Sequence, residues 1–231
     1  KHGTTPDYSR LLNDIAQTPT ERQQLLRSYF EPTEVERAQN QKTPTKAHLA
    51  IAKLVASGYI RVIITTNFDQ LTEKALQNAG ISLTVISTTD QLKGALPLAH
   101  SGVTLIKLHG DYLDTRIKNT CDELSTYEPE MDKLLDRVLD EYGLIVCGWS
   151  GDWDTALRKA IERCPTRRFT TYWTAVSELS EKAQTLASSR RAIILRIQDA
   201  NHFFESMQEK VQSLEDMASP HPLSAKMATA C

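Results

Sequence analysis

The sequence predicts an α/β fold, a doubly wound and mostly parallel sheet with a helical elaboration at its amino-terminal side. Three observations carry this prediction. From Arg61 onward, short runs of Val, Ile and Leu alternate with helix-length segments. The runs are near-continuously apolar, the pattern of strands buried on both faces in a helix-covered parallel sheet. Three of the runs end in polar residues that are poor core material, and the carboxyl ends of strands are where such sheets present their ligand groups.

Taken in order, residues 1–60 read as helices. Thr18-Pro19-Thr20-Glu21 joins an N-cap, a first-turn proline and a glutamate at the capping-box position. The polar stretch from Glu31 to Lys42 reads as a mobile connection. Thr43-Pro44 repeats the cap-plus-proline start ahead of the run from Ala47 to Val55, and Gly58 stops it. Strands are then predicted at 61–66, 83–87, 103–108, 143–147, 168–173 and 192–197, and helices at 69–79, 129–141, 152–164, 177–188 and 200–217. Ser219-Pro220-His221-Pro222 reads as the start of a linker to further sequence. Residues 1–218 are thus expected to form one domain, with 1–60 helical and 61–218 the α/β core, followed by a linker at 219–231.

A chain of 231 residues can bury one sizeable core. Its 40% hydrophobic and 24% charged residues are the usual mix of a soluble globular protein. The formal charge of -2 gives no support for nucleic acid or an anionic membrane as a partner. Arg167-Arg168 and Arg190-Arg191 each precede an apolar run and read as solvated strand entrances rather than a phosphate-tracking groove. Cys121, Cys147, Cys164 and Cys231 are widely spaced, so neither a cysteine zinc site nor a disulfide framework is expected. No histidine makes a metal-ligand spacing with another, and the expectation is no metal. No apolar run approaches the ~20 residues of a membrane span, and no signal-peptide pattern opens the chain. These features predict a cytoplasmic setting.

The residues that could carry chemistry lie at three strand ends. Thr65-Thr66-Asn67-Phe68-Asp69 follows the first run. A helix cap would explain Asn67 or Asp69, but not both. Val103 to Leu108 ends in His109-Gly110-Asp111, and a histidine there can exchange a proton near neutral pH. Leu144 to Cys147 ends in Gly148-Trp149-Ser150-Gly151, a small-residue turn that lets a phosphate or ribose approach a helix N-terminus. Asp152 and Asp154 read as cap or first-turn acids. Neither a Gly-x-Gly-x-x-Gly fingerprint nor a Walker A motif is present, which removes the main support for an ordinary dehydrogenase or a P-loop enzyme.

Together these motifs resemble the sirtuin-like family, in its Rossmann-like fold. Thr-Thr-Asn-Phe-Asp at 65–69 is similar to its Asn-x-Asp motif, Lys-Leu-His-Gly-Asp at 107–111 to its catalytic-histidine motif, and Gly-Trp-Ser-Gly at 148–151 to its ribose-binding turn. The resemblance runs from about Lys46 to Leu214 and is closest to the zinc-free bacterial branch of NAD-consuming anti-phage effectors. It implies NAD as substrate, cleaved by Asn67, His109 and Asp69. Thr66, Asn67, Asp69, Gly148 and Ser150 would contact it, with Trp173 and Asp199 bordering the adenosine. The absence of a four-cysteine zinc module speaks against protein deacylation. The family opens with a strand and a Gly-Ala-Gly loop, and Gly3 to Tyr8 resembles the segment just after that loop, so the resemblance implies a first strand ahead of it. An NAD hydrolase must be restrained, which implies activation by a homo-oligomer or partner protein. Two rival readings stay open: a sensor binding NAD or an ADP-ribose derivative without turnover, and an interaction domain with a decayed cofactor site.

Overall fold

The computed structural model describes residues 18–39, 41–114 and 124–218. Strands β1 (Val62–Thr65), β2 (Thr84–Ile86) and β3 (Thr104–Lys107) pair in the order β1-β3-β2. Strands β4 (Leu144–Val146), β5 (Thr171–Ala175) and β6 (Ile193–Arg196) pair in the order β4-β5-β6. Every pairing is parallel. The predicted mixed α/β architecture is therefore observed, as two three-stranded ladders with no hydrogen-bonded pairing between them among the described residues.

One apolar core joins the halves. Val62, Ile64, Ile106 and Leu108 of the first half share it with Val146 and Trp173 of the second. Helices α6 (Pro129–Glu141), α7 (Thr155–Arg163) and α8 (Glu181–Ser189) close it through Leu135, Ala160 and Leu186. β3 lies between two neighbours, and all four of its residues are buried. Leu105 and Ile106 are 0% exposed, each stabilising the fold by roughly 1.5–3 kcal/mol. The outer strand β6, by contrast, is mostly exposed.

The amino-terminal elaboration is anchored at two places. α3 (Lys46–Ala56) packs Ala47, Ala50 and Leu54 on Phe204 of α9 (Ala200–Ala218). The Ala47 N–H donates to Asn201 Oδ1 at 2.9 Å. α1 (Pro19–Phe30) lays Leu26 and Phe30 against Phe68 and Tyr112, in the loops that leave β1 and β3. The expected capping box is present, with the Glu21 N–H donating to Thr18 Oγ1 at 3.2 Å and the Thr18 N–H to Glu21 Oε2 at 3.0 Å.

Three expectations are corrected. The stretch predicted as a mobile connection holds helix α2 (Glu34–Ala38), fixed by a second capping box between Thr33 and Glu36 and by a 3.1 Å ion pair from Lys42 to Glu36. α3 begins two residues beyond the Thr43-Pro44 signal, with Thr45 as its N-cap. β5 starts at Thr171 because the residues before it face outward: Arg167 donates to Ser189 O at 2.8 Å, and Phe169 is half exposed. α4 (Leu71–Asn78) follows β1, and the short α5 (Thr89–Gly94) follows β2. No helix among the described residues is long and apolar enough to cross a membrane.

Candidate active site

At the end of β1, the Asn67 N–H donates to Thr65 Oγ1 at 3.1 Å, which turns the chain and leaves Asn67 exposed beside the half-buried Thr66. Asp69 Oδ1 accepts from the Leu71 N–H at 2.9 Å. That bond holds the turn that leads into α4, ahead of its N-cap residue Gln70.

At the end of β3, Lys107 is 0% exposed. Its Nζ donates to Asp69 O at 2.5 Å, Asp111 Oδ2 at 2.7 Å and Glu73 Oε1 at 2.8 Å, and lies 3.3 Å from Phe68 O. Burial raises the Glu73 carboxyl above its ordinary value, against the opposing pull of Lys107. Two residues on, His109 is buried, with the Phe68 ring 6.0 Å from its own. Asn67 and Asp69, which flank Phe68, are thereby held beside the histidine's loop.

At the end of β4, Gly148 (φ +72°) and Gly151 (φ +74°) take left-handed conformations that strain other residues. A Cβ at Gly148 would meet nothing within 4 Å, so the turn is open there. Ser150 Oγ accepts from the Asp152 N–H at 3.3 Å, and Arg158 braces the turn by donating to Gly151 O at 3.0 Å and Asp152 O at 3.1 Å. Trp149 packs on Trp173, ring centroids 5.7 Å apart.

Asp154 brings the two halves of the sheet together. It occupies the N-cap position of α7, yet its side chain caps nothing. Oδ2 accepts from Trp149 Nε1 at 2.6 Å, and Oδ1 lies 2.5 Å from His109 Nε2. That second contact is short but off the line of a good hydrogen bond, and it is an ion pair whenever the ring is protonated. Burial alone would raise the Asp154 carboxyl, but His109, Trp149 and Arg158 outweigh it and hold the group below the usual carboxylate range. The neighbouring Tyr127 phenol is pushed well above its ordinary value by burial, and further by Asp154.

The other expected contacts are placed differently. Trp173 is 1% exposed in the middle of β5, within the core, and reaches the turn only through Trp149. This corrects its expected place at an open strand end. Asp199 is half-buried and accepts from the His202 N–H at 2.8 Å at the start of α9. Nothing in the sequence marks Asp154 as a partner of His109, because an aspartate before a helix looks the same whether or not it caps. Lys107 carried a visible signal, since a cation closing an apolar run must find partners.

Among the described residues no group of three His, Cys, Asp or Glu side chains is arranged to hold a metal ion; Cys121 and Cys231 lie outside them. No curated protein matches the chain. Residues 61–196 match the model of the SIR2-like domain, more than half of the chain and all six strands. With the parallel sheet and the polar strand ends, this match establishes that the chain belongs to the SIR2-like domain family, whose members are in general NAD-dependent enzymes.

Proposed function

We propose that the protein hydrolyses NAD at the nicotinamide–ribose bond, releasing nicotinamide and ADP-ribose with water as the acceptor. The observation that carries this reading is the His109–Asp154 pair, 2.5 Å apart, lying beside the loop of Asn67 and Asp69. With Nε2 facing the Asp154 carboxylate, Nδ1 is the nitrogen left for substrate. Cleavage of the bond develops oxocarbenium-like charge on the ribose. His109 would accept a proton at Nδ1, from the attacking water or through the ribose hydroxyls, and the Asp154 carboxylate would stabilise the imidazolium. Asn67 would orient the ribose and the water. The second oxygen of Asp69 would accept from the nicotinamide carboxamide. Thr66, Gly148 and Ser150 would flank the ribose and phosphates, with Asp199 toward the adenosine. Orientation of this kind supplies of order 7 kcal/mol or more in well-aligned cases.

The resemblance to the zinc-free bacterial branch extends the proposal to a regulated effector that depletes NAD in anti-phage defence. Its activity would rise on oligomerisation or on contact with a partner or trigger. A second reading, a sensor that binds NAD without turnover, draws on the burial of His109 at 7% exposure. Chromatographic measurement of nicotinamide release by the natural full-length protein separates the two: binding of NAD with no release selects the sensor.

A further inference from the structure

We propose that Lys107 is a positioning residue that fixes the Asn67–Asp69 turn against His109, acting through the main-chain carbonyls of Phe68 and Asp69. The kinetic part of this inference rests on the NAD-cleavage reading, and the structural part on geometry alone. Charge balance by itself does not account for the arrangement. Glu73 and Asp111, at 2.8 and 2.7 Å, already supply more negative charge than one lysine needs. The shortest contact instead goes to a loop carbonyl, Asp69 O at 2.5 Å, with Phe68 O at 3.3 Å beside it. A buried ion pair is costly, and a purely structural position in a central strand is served as well by an apolar side chain of similar volume.

The network around Lys107 closes on both arms of the site. Asp111 Oδ1 accepts from the Leu113 N–H at 2.9 Å, and its two oxygens lie 3.1 and 3.3 Å from Gln70 Nε2. The Tyr112 N–H donates to Phe68 O at 3.2 Å. His109 therefore sits on a backbone segment held at both sides, by Lys107 before it and Asp111 after it. The same lysine grips the two residues that follow Asn67. Its loss would let the Asn67 loop and the His109 loop move relative to each other while leaving β1 and β3 paired.

The test has a wild-type arm and a variant arm. In the wild-type protein, hydrogen–deuterium exchange should show the Leu71 and Leu113 amides, bonded to Asp69 and Asp111, as protected as those of β3. The triple variant Lys107→Met, Glu73→Gln, Asp111→Asn removes all three charges and so avoids stranding two buried carboxylates. In it, amides of 67–71 and 109–113 should exchange at least ~10-fold faster while β3 stays protected. In the natural full-length protein, kcat for NAD should fall by ~30-fold with KM changed by less than ~3-fold, whereas Glu73→Gln alone, which keeps Lys107, should hold kcat within ~3-fold. Fast wild-type exchange at Leu71 and Leu113 overturns the inference. So does a triple variant with wild-type exchange and kcat, since Lys107 would then only balance charge. Altered exchange in a protein whose wild type releases no nicotinamide upholds the clamp and overturns the cleavage reading instead.

Discussion

At the end of β3 a buried cation is shared by four oxygens, whereas at the end of β4 a buried carboxylate is shared by two ring nitrogens. Lys107 spends two of its contacts on main-chain carbonyls, so the first network holds loops in place. Asp154 spends both oxygens on side chains, so the second network sets the orientation of His109 and Trp149. The difference separates two kinds of sensitivity. Damage to the first should appear as lost stability and loosened loops, with chemistry lost only through them, and damage to the second as chemistry lost at His109 itself.

The largest expected effect comes from breaking the first network on one side. Lys107→Met leaves Glu73 and Asp111 buried without their cation, and urea unfolding should show a loss of about 3–5 kcal/mol. Next come the residues proposed to touch substrate. Asn67→Ala and His109→Ala should each lower NAD cleavage by at least ~100-fold. Their stabilities should differ: Asn67 is exposed, so its variant should melt like wild type. His109→Ala deprives Asp154 of its 2.5 Å partner and should cost about 1–3 kcal/mol. Comparable melting of the two variants would show that the His109–Asp154 contact contributes nothing to the fold. Asp154→Asn should reduce kcat by at least ~10-fold with little change in KM, because the amide no longer stabilises an imidazolium. An unchanged kcat would leave Asp154 as packing alone.

The smallest effects, in acid, carry opposite signs in the two networks. Asp154 has a folded pKa below its ordinary 3.8, so its contribution to stability is present above that value and is lost as pH falls through the folded pKa. Asp154→Asn should flatten the stability profile below about pH 4. Glu73 has a folded pKa above its ordinary 4.5, so its protonation favours the fold below that value and the benefit is lost as pH rises toward the folded pKa. Glu73→Gln should remove that decline. Denaturant melts across this range in both variants check the two slopes, and slopes of the same sign would contradict the assignment.

Much of this architecture was legible in the chain. The six strands fall on the six apolar runs because parallel strands buried on both faces need continuous Val, Ile and Leu, as Val62–Thr65 and Thr104–Lys107 have. Short helices were harder. α5 is six residues long and carries no apolar stripe to find, although Thr88 and Gln91 stand at cap spacing and the Gln91 N–H donates to Thr88 Oγ1 at 3.2 Å. The helix in the Glu31–Lys42 stretch is likewise held by caps and an ion pair rather than by burial. At the site, Asn67, His109 and the Gly148 turn were found because polar residues after apolar runs stand out. The Asp154–His109 pair was not, because the partners stand 45 positions apart and only the meeting of two strand ends joins them. Trp173 differs for another reason: the strand runs on to Ala175, two residues past the end the apolar run suggests, which puts Trp173 at its centre.

Cleavage of NAD in water enriched with oxygen-18, with products resolved by mass spectrometry, tests the central claim most directly. The natural full-length protein should yield free nicotinamide and ADP-ribose bearing one heavy oxygen on the ribose, and His109→Ala should yield neither above background. NAD bound but left intact by the wild type, or nicotinamide released with the ADP-ribosyl group joined to an acceptor other than water, would contradict hydrolysis by the His109–Asp154 pair.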